Sequence, residues 1–167
     1  MKEIRNQTFD EERALYGQRD ILVENCNFDG PADGESAFKE GKKLQVKDCF
    51  FNLRYPFWHD DELLLTGSEM TPLCRAALWY TDHVTIRDCK LHGIKAVREC
   101  SDVTLENCHI VSEEFGWFTR GLTASNCHAE SAYFMLRSEN LKMDNLDFKG
   151  KYSFQYLKNG EFTNCNL

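Results

Sequence analysis

The feature that most limits how this chain can fold is a cysteine that returns every nineteen residues. Cys89, Cys108 and Cys127 keep that spacing, and two further steps reach Leu146 and then Cys165. Each sits in one short motif: ILVENCNF (21–28), LQVKDCFF (44–51), VTIRDCKL (84–91), VTLENCHI (103–110), LTASNCHA (122–129), LKMDNLDF (141–148) and GEFTNCNL (160–167). LLLTGSEM (63–70) and IRNQTF (4–9) extend the register, so one slot runs through Gln7, Cys26, Cys49, Ser68, Cys89, Cys108, Cys127, Leu146 and Cys165. Two steps are longer. Four extra residues between Cys26 and Cys49 fall in the turn-rich GPADG (30–34), and two between Ser68 and Cys89 fall near Thr71 and Pro72.

A fixed period near twenty marks a solenoid, whose repeats bury their apolar faces only against their neighbours. Period-two alternation makes the unit a strand, and a parallel crossover of strands is almost always right-handed. The spacing therefore predicts an all-β, single-stranded right-handed parallel β-helix (β-solenoid) of about eight coils of about nineteen residues. It forms one domain over residues 1–167, with 1–20 as an irregular N-terminal capping coil.

In such a stack the cysteines form an internal ladder of small side chains rather than a metal cluster, because ligands at a regular period make a row and not a tetrahedron. The residue before each (Asn6, Asn25, Asp48, Asp88, Asn107, Asn126, Asn145, Asn164, with Gly67 in the remaining coil) suits a bend. Eight residues past the slot, Leu15, Phe38, Phe57, Leu78, Val97, Gly116, Met135 and Phe154 form a second inward row. Cys74 and Cys100 lie outside the ladder. Cys100 shares its slot with Thr81, Thr119 and Ser138, which reads as small-residue packing.

The neighbours of that inward row should face out: Tyr16, Lys39, Trp58, Trp79, Arg98, Trp117, Leu136 and Gln155. The next row holds His59, Tyr80, Glu99 and Arg137, and Arg54 and Arg75 stack nearby. Flat rings beside guanidinium forks are the composition of a ligand face, so Trp58, Trp79, Arg98, Trp117, Arg137 and Tyr80 are ligand-binding candidates. His59 and Glu99 are the candidate acid/base pair. A slip of one residue would instead turn the tryptophans into core. On the outside of the first strand His109 and His128 stack, with Asp147 next and Glu130 beside them, and His92 nearby. Such a group could hold a metal or move protons, or serve only as a solvated face.

A formal net charge of −7 with no concentrated basic stretch argues against nucleic-acid and anionic-membrane partners. The N-terminus lacks an apolar signal core and no run of about eighteen apolar residues occurs, so a cytoplasmic location with reduced cysteines is expected. GxSxG, HExxH, P-loop and GxGxxG motifs are lacking, and no cofactor is expected.

The segments NLRYPFWHDDE (52–62), CRAALWYTD (74–82), HGIKAVREC (92–100), EEFGWF (113–118), YFMLRSENL (133–141) and KGKYSFQY (149–156) resemble family number 3737 of the domains of unknown function. The resemblance spans nearly the whole chain and implies a pectate-lyase-like right-handed β-helix, with no reaction attached. Members of that family run through further coils, so the stop at Leu167 within a strand motif implies a truncated chain. Its uncapped last coil would invite homo-oligomer formation. Because pectate-lyase-like helices include many carbohydrate-active enzymes, the resemblance implies a sugar ligand, and a cytoplasmic chain would meet a small sugar or acidic sugar derivative. Whether such a protein is an enzyme stays open. The alternative is a noncatalytic solenoid scaffold that docks a protein partner.

Overall fold

Alternating apolar residues at the start of each repeat form the long strands of the computed structural model, which describes residues 1–167 and contains no helix. No helix is therefore long and apolar enough to cross a membrane. In Asp82–Arg87 the buried residues are Val84 and Ile86. Equivalent strands pair in parallel and in register, Val84 with Val103, Val103 with Leu122 and Leu122 with Leu141. The first strands of successive coils are Lys2–Arg5, Arg19–Glu24, Lys42–Lys47, Asp61–Thr66, Asp82–Arg87 and Ser101–Glu106. The longer Arg120–Phe134 and Glu139–Ser153 and then Lys158–Thr163 continue the order.

That makes nine coils, one more than the period implied. The difference is at the N-terminus, where residues 1–20 do not form an irregular cap. Lys2 pairs with Ile21 and Thr8 with Asn27, at the same nineteen-residue offset as later coils. What sets this coil apart is exposure, since it has a neighbour on one side only. The two insertions fall where the turn residues placed them. Phe28 still stacks in register on Phe9, but by Leu15 and Phe38 the offset has grown to twenty-three. Asp10 accommodates the first insertion by accepting the Ala32 N–H on its carboxylate and the Gly34 N–H on its carbonyl.

One continuous cluster of 41 buried residues runs from Leu15 to Phe148, so the chain has a single core. Phenyl rings fill it in stacks, Phe28 on Phe51 at 4.8 Å and Phe38 on Phe57 at 5.0 Å. The cysteine ladder is internal, and all eight thiols are free. Each ladder thiol donates to the carbonyl two residues earlier, as Cys49 does to Lys47 (3.3 Å) and Cys89 to Arg87 (3.1 Å). Burial pushes the Cys49 thiol up to about 12 and the Cys89 thiol up to about 11, which keeps both protonated as donors at neutral pH. Ser68 repeats the contact with its hydroxyl, donating to the Thr66 carbonyl at 3.0 Å. Buried Leu146 fills the same slot without a donor.

The bend before the ladder has a left-handed backbone in all nine coils, with φ between 52° and 58° from Asn6 through Gly67 to Asn164. A residue with a Cβ pays about 1–2 kcal/mol in that conformation, and Asn, Asp and Gly bear it best. The amides also bond up the stack: Asn25 Nδ2 donates to Asn6 Oδ1 at 2.7 Å, Asn107 to Asp88 at 2.6 Å, and Asn145 to Asn126 at 2.7 Å. Replacing Asn107 with Ala should therefore destabilise the chain in urea unfolding by about 1–2 kcal/mol, and Asn107→Gly by less, because glycine restores the backbone freedom and loses only the ladder bond. Equal losses for the two variants would show that backbone conformation is not what the position selects.

Candidate functional site

At the last corner of each coil the strand alternation is broken by a second left-handed residue. His59, Tyr80, Glu99, Phe118 and Arg137 all have φ between 51° and 57°. Two consecutive residues therefore stay outside, Trp58 with His59 and Trp79 with Tyr80, while Asp60, Thr81, Cys100, Thr119 and Ser138 turn in and are buried. The tryptophans stand half-exposed on the outer face, paired through the short strands Phe57–Trp58, Leu78–Trp79 and Val97–Arg98. An Arg98–Trp117 bridge continues that row.

In-register stacking also decides how these rings are used. Trp58 lies on Trp79 at 5.3 Å with 9° between planes, and His59 on Tyr80 at 5.0 Å and 4°. Lys39 Nζ, from the preceding coil, sits 4.4 Å from the centre of the Trp58 ring. Both faces of Trp58 are thus covered, and one face of Trp79. Trp117 is turned edge-on to Phe118 and Tyr133 and donates its Nε1–H to the Tyr133 carbonyl at 2.8 Å. His59 and Glu99 do not meet. Tyr80 occupies the coil between them, and its hydroxyl titrates above the usual phenol range because it bonds Glu99. Arg137 lies further along, with its guanidinium 5.0 Å from the Tyr156 ring.

What the face does contain is a small cleft of about 90 Å³ lined by Tyr55, Arg75, Ala76, Trp79, Lys95 and Arg98. Its charged lining consists of cations alone. Two of these cations have a carboxylate partner outside the lining: Glu99 Oε1 is 3.9 Å from Arg98 Nε and Glu114 Oε2 is 3.6 Å from Lys95 Nζ. Both distances exceed hydrogen-bond length, and Arg98 Nε and Glu114 Oε2 are buried without a partner. Tyr55 leans over both indoles, 6.2 Å from Trp58 and 6.1 Å from Trp79. Sequence reasoning found Trp79, Arg98 and Arg75 but missed Tyr55 and Lys95. These two share a further left-handed row, with φ 55° at each. Their offsets of twenty-one and nineteen from Ala76 follow the register, and that was the available signal.

The histidine row is brought together as the register implied. His92 Nε2 lies 2.8 Å from His109 Nδ1, His109 stacks on His128 at 5.1 Å, and His128 reaches Asp147 at 2.9 Å and Glu130 at 3.4 Å. The bond to Asp147 raises the His128 pKa, with a smaller contribution from Glu130, whereas partial burial and then the neighbouring His109 lower that of His92. The quartet His109, His128, Glu130 and Asp147 does not close on one point, and no three His, Cys, Asp or Glu side chains do so anywhere in the chain. His109, His128 and Asp147 border an open groove of about 530 Å³ that the ladder Asn107, Asn126 and Asn145 also lines. The groove is larger than the cleft, yet Asp147 is already bonded by His128 and Asn166, Asn145 donates to Asn126 and Asn107 to Asp88. The cleft keeps Arg75 without a carboxylate within 4 Å, and Lys95 and Arg98 are paired only loosely, at 3.6 and 3.9 Å, with Glu114 and Glu99. That difference, more than size, marks it as the better candidate.

A family model described as "Protein of unknown function (DUF3737)" matches residues 2–167. No curated protein matches the chain significantly. A crystal structure of PfbA, a surface adhesin of Streptococcus pneumoniae, is similar at 12% identity and a TM-score of 0.39, over 98% of this chain and 60% of that one. The chain thus spans less than two thirds of that protein's length.

Directly behind the aromatic face lies Asp60, 2% exposed, in a slot that Thr81, Cys100, Thr119 and Ser138 fill in later coils. One oxygen accepts the Gly41 N–H and the other has no partner. Burial pushes its pKa up to about 9, so the folded chain holds a proton there that the unfolded chain releases above about pH 4. Stability must then fall as pH rises from about 4 to about 9 and level off beyond, and holding the proton at pH 7 costs on the order of 4 kcal/mol. Asp60→Thr, which copies the slot's usual occupant, should unfold at a higher temperature at pH 7 and lose most of that slope. A thermal melt series from pH 4 to 9 checks this, and an unchanged slope would place Asp60's proton elsewhere.

Proposed function

The chain belongs to the DUF3737 family, whose description names no activity, and on that footing we propose that it binds a small acidic sugar derivative at the cleft between Tyr55, Arg75, Trp79, Lys95 and Arg98. The observation that carries this reading is the charge of the cleft. A chain of net charge −7 gathers three cations around one opening, Arg75 with no carboxylate partner and Lys95 and Arg98 with partners at 3.6 and 3.9 Å that do not line its wall. Like charges held together repel, and an anion relieves the repulsion through charge-assisted hydrogen bonds from the Arg forks. About 90 Å³ is the space of about three liquid waters, which suits one carboxylate or phosphate group and not a whole sugar ring. The ring would then lie outside against Tyr55 and Trp79, the latter with one face already covered by Trp58. This is a binding role. With Tyr80 between His59 and Glu99, no acid/base pair is assigned.

A second reading, a scaffold that docks a protein partner, is favoured by exposed tyrosines on the later coils. Tyr133 and Tyr152 stack at 5.1 Å, and Tyr156 is 74% exposed. None of these rings lines the cleft, and Tyr152 and Tyr156 make no contact with a residue that does, so variants at those two separate the readings.

Calorimetric titration with glucuronic acid, glucose 1-phosphate and glucose tests the proposal. The two anions should bind and glucose should not. Arg98→Ala should weaken the anions roughly tenfold to a hundredfold, the range expected when a charge-assisted bond worth about 1.5–3 kcal/mol is lost. Tyr152→Ala should leave anion binding unchanged. Equal binding of glucose, no binding of either anion, or indifference to Arg98→Ala would each sink the idea.

A further inference from the structure

The histidine row contains a smaller arrangement, which takes His109 from the four-residue group above and adds His92. His109 follows Cys108 by one residue and His92 follows Cys89 by three, so a diagonal step between adjacent coils brings the two rings together. Their facing nitrogens are 2.8 Å apart and the ring planes meet at 63°. Two metal–nitrogen bonds of about 2.0 Å set at a right angle span about 2.8 Å, whereas a tetrahedral angle needs about 3.3 Å. The observed separation is that of an N–H···N hydrogen bond, and it also equals the span of neighbouring positions in a tetragonal or octahedral sphere. His128 stacks on His109 with 15° between planes, which holds the His109 ring in orientation. His128 itself has no nitrogen to offer, because Asp147 and Glu130 engage both.

We propose that His92 and His109 form a two-imidazole site for a divalent transition cation that favours nitrogen donors in square or octahedral geometry, Ni2+ or Cu2+ ahead of Zn2+. Without metal, one ring N–H donates to the facing nitrogen of the other ring. On binding, that hydrogen moves to the far nitrogen of its own ring and the rings turn so that both lone pairs point at the cation, and both imidazoles enter neutral. Solvent oxygens complete the sphere, which reconciles the site with the lack of any third converging His, Cys, Asp or Glu. The ring bonded to two carboxylates acts as a brace and not as a ligand.

Titration of the whole chain with Ni2+ is the test, chosen because the chain's eight thiols could reduce Cu2+. Calorimetry should show one tight Ni2+ per chain, and paramagnetic broadening in NMR should remove the ring signals of His92 and His109 first. His92→Ala and His109→Ala should each lose at least tenfold in affinity. His128→Ala should stay within about threefold, since it removes the brace alone. The assignment is overturned if Ni2+ does not bind, if His92→Ala binds as tightly as the parent chain, or if His128→Ala costs as much as the two proposed ligands.

Discussion

Everything in this molecule depends on one constraint: each residue stacks directly on its equivalent one coil away, at the roughly 4.8 Å spacing of hydrogen-bonded strands. Side chains that interact well with copies of themselves are therefore rewarded. An amide can donate to the amide below and accept from the amide above, a phenyl ring can lie on a phenyl ring, and a thiol can fill a corner while bonding backbone. Charges cannot repeat in this way. Asp61 is in register with Asp82, and His83 crosses the row to bond Asp61 at 2.6 Å, with a pKa raised chiefly by that contact.

The same rule limits what the aromatic face can do. A row of tryptophans on an outer strand looks like a platform for a flat ligand, yet a register that puts one indole on the next uses the faces for the protein's own cohesion. Function then falls to what interrupts the repetition. Arg98 follows two tryptophans in the row, and Tyr55 and Lys95 flank Ala76 in the next. Those breaks in the pattern create a cleft where a uniform ladder would have closed it.

Unpaired polar atoms follow a similar geography. The buried orphans are Ser36 Oγ, Trp58 Nε1, Asp60 Oδ2, Arg98 Nε, Glu114 Oε2 and Thr119 Oγ1, all on the side of the coil that carries the third short strands. The bend and ladder side holds none. Each orphan forfeits the hydrogen bond it would make in water, a cost of about 1–3 kcal/mol, so their gathering on one side marks where the chain departs from best packing. The candidate cleft lies on that side.

The sequence by itself determined the coil, its register and the direction of the residues on the first two strands, because period-two alternation and a nineteen-residue repeat leave one way to stack Val84 on Val103 and Cys89 on Cys108. It also placed both insertions and the Asn bend. Only the tertiary structure decided the rest. Residues 1–20 pair as a regular coil because Lys2–Arg5 finds Ile21–Glu24 as a neighbour, a contact that weak local patterning conceals. The left-handed corner at His59 and Tyr80 sends Asp60 inward, and residues such as these carry no propensity that announces it. The cleft depends on how far Arg98 and Lys95 reach past their own strands, and the His92–His109 pair on a diagonal contact. Reach and diagonal packing belong to side chains in three dimensions, and a repeat read along one dimension fixes only the rows they start from.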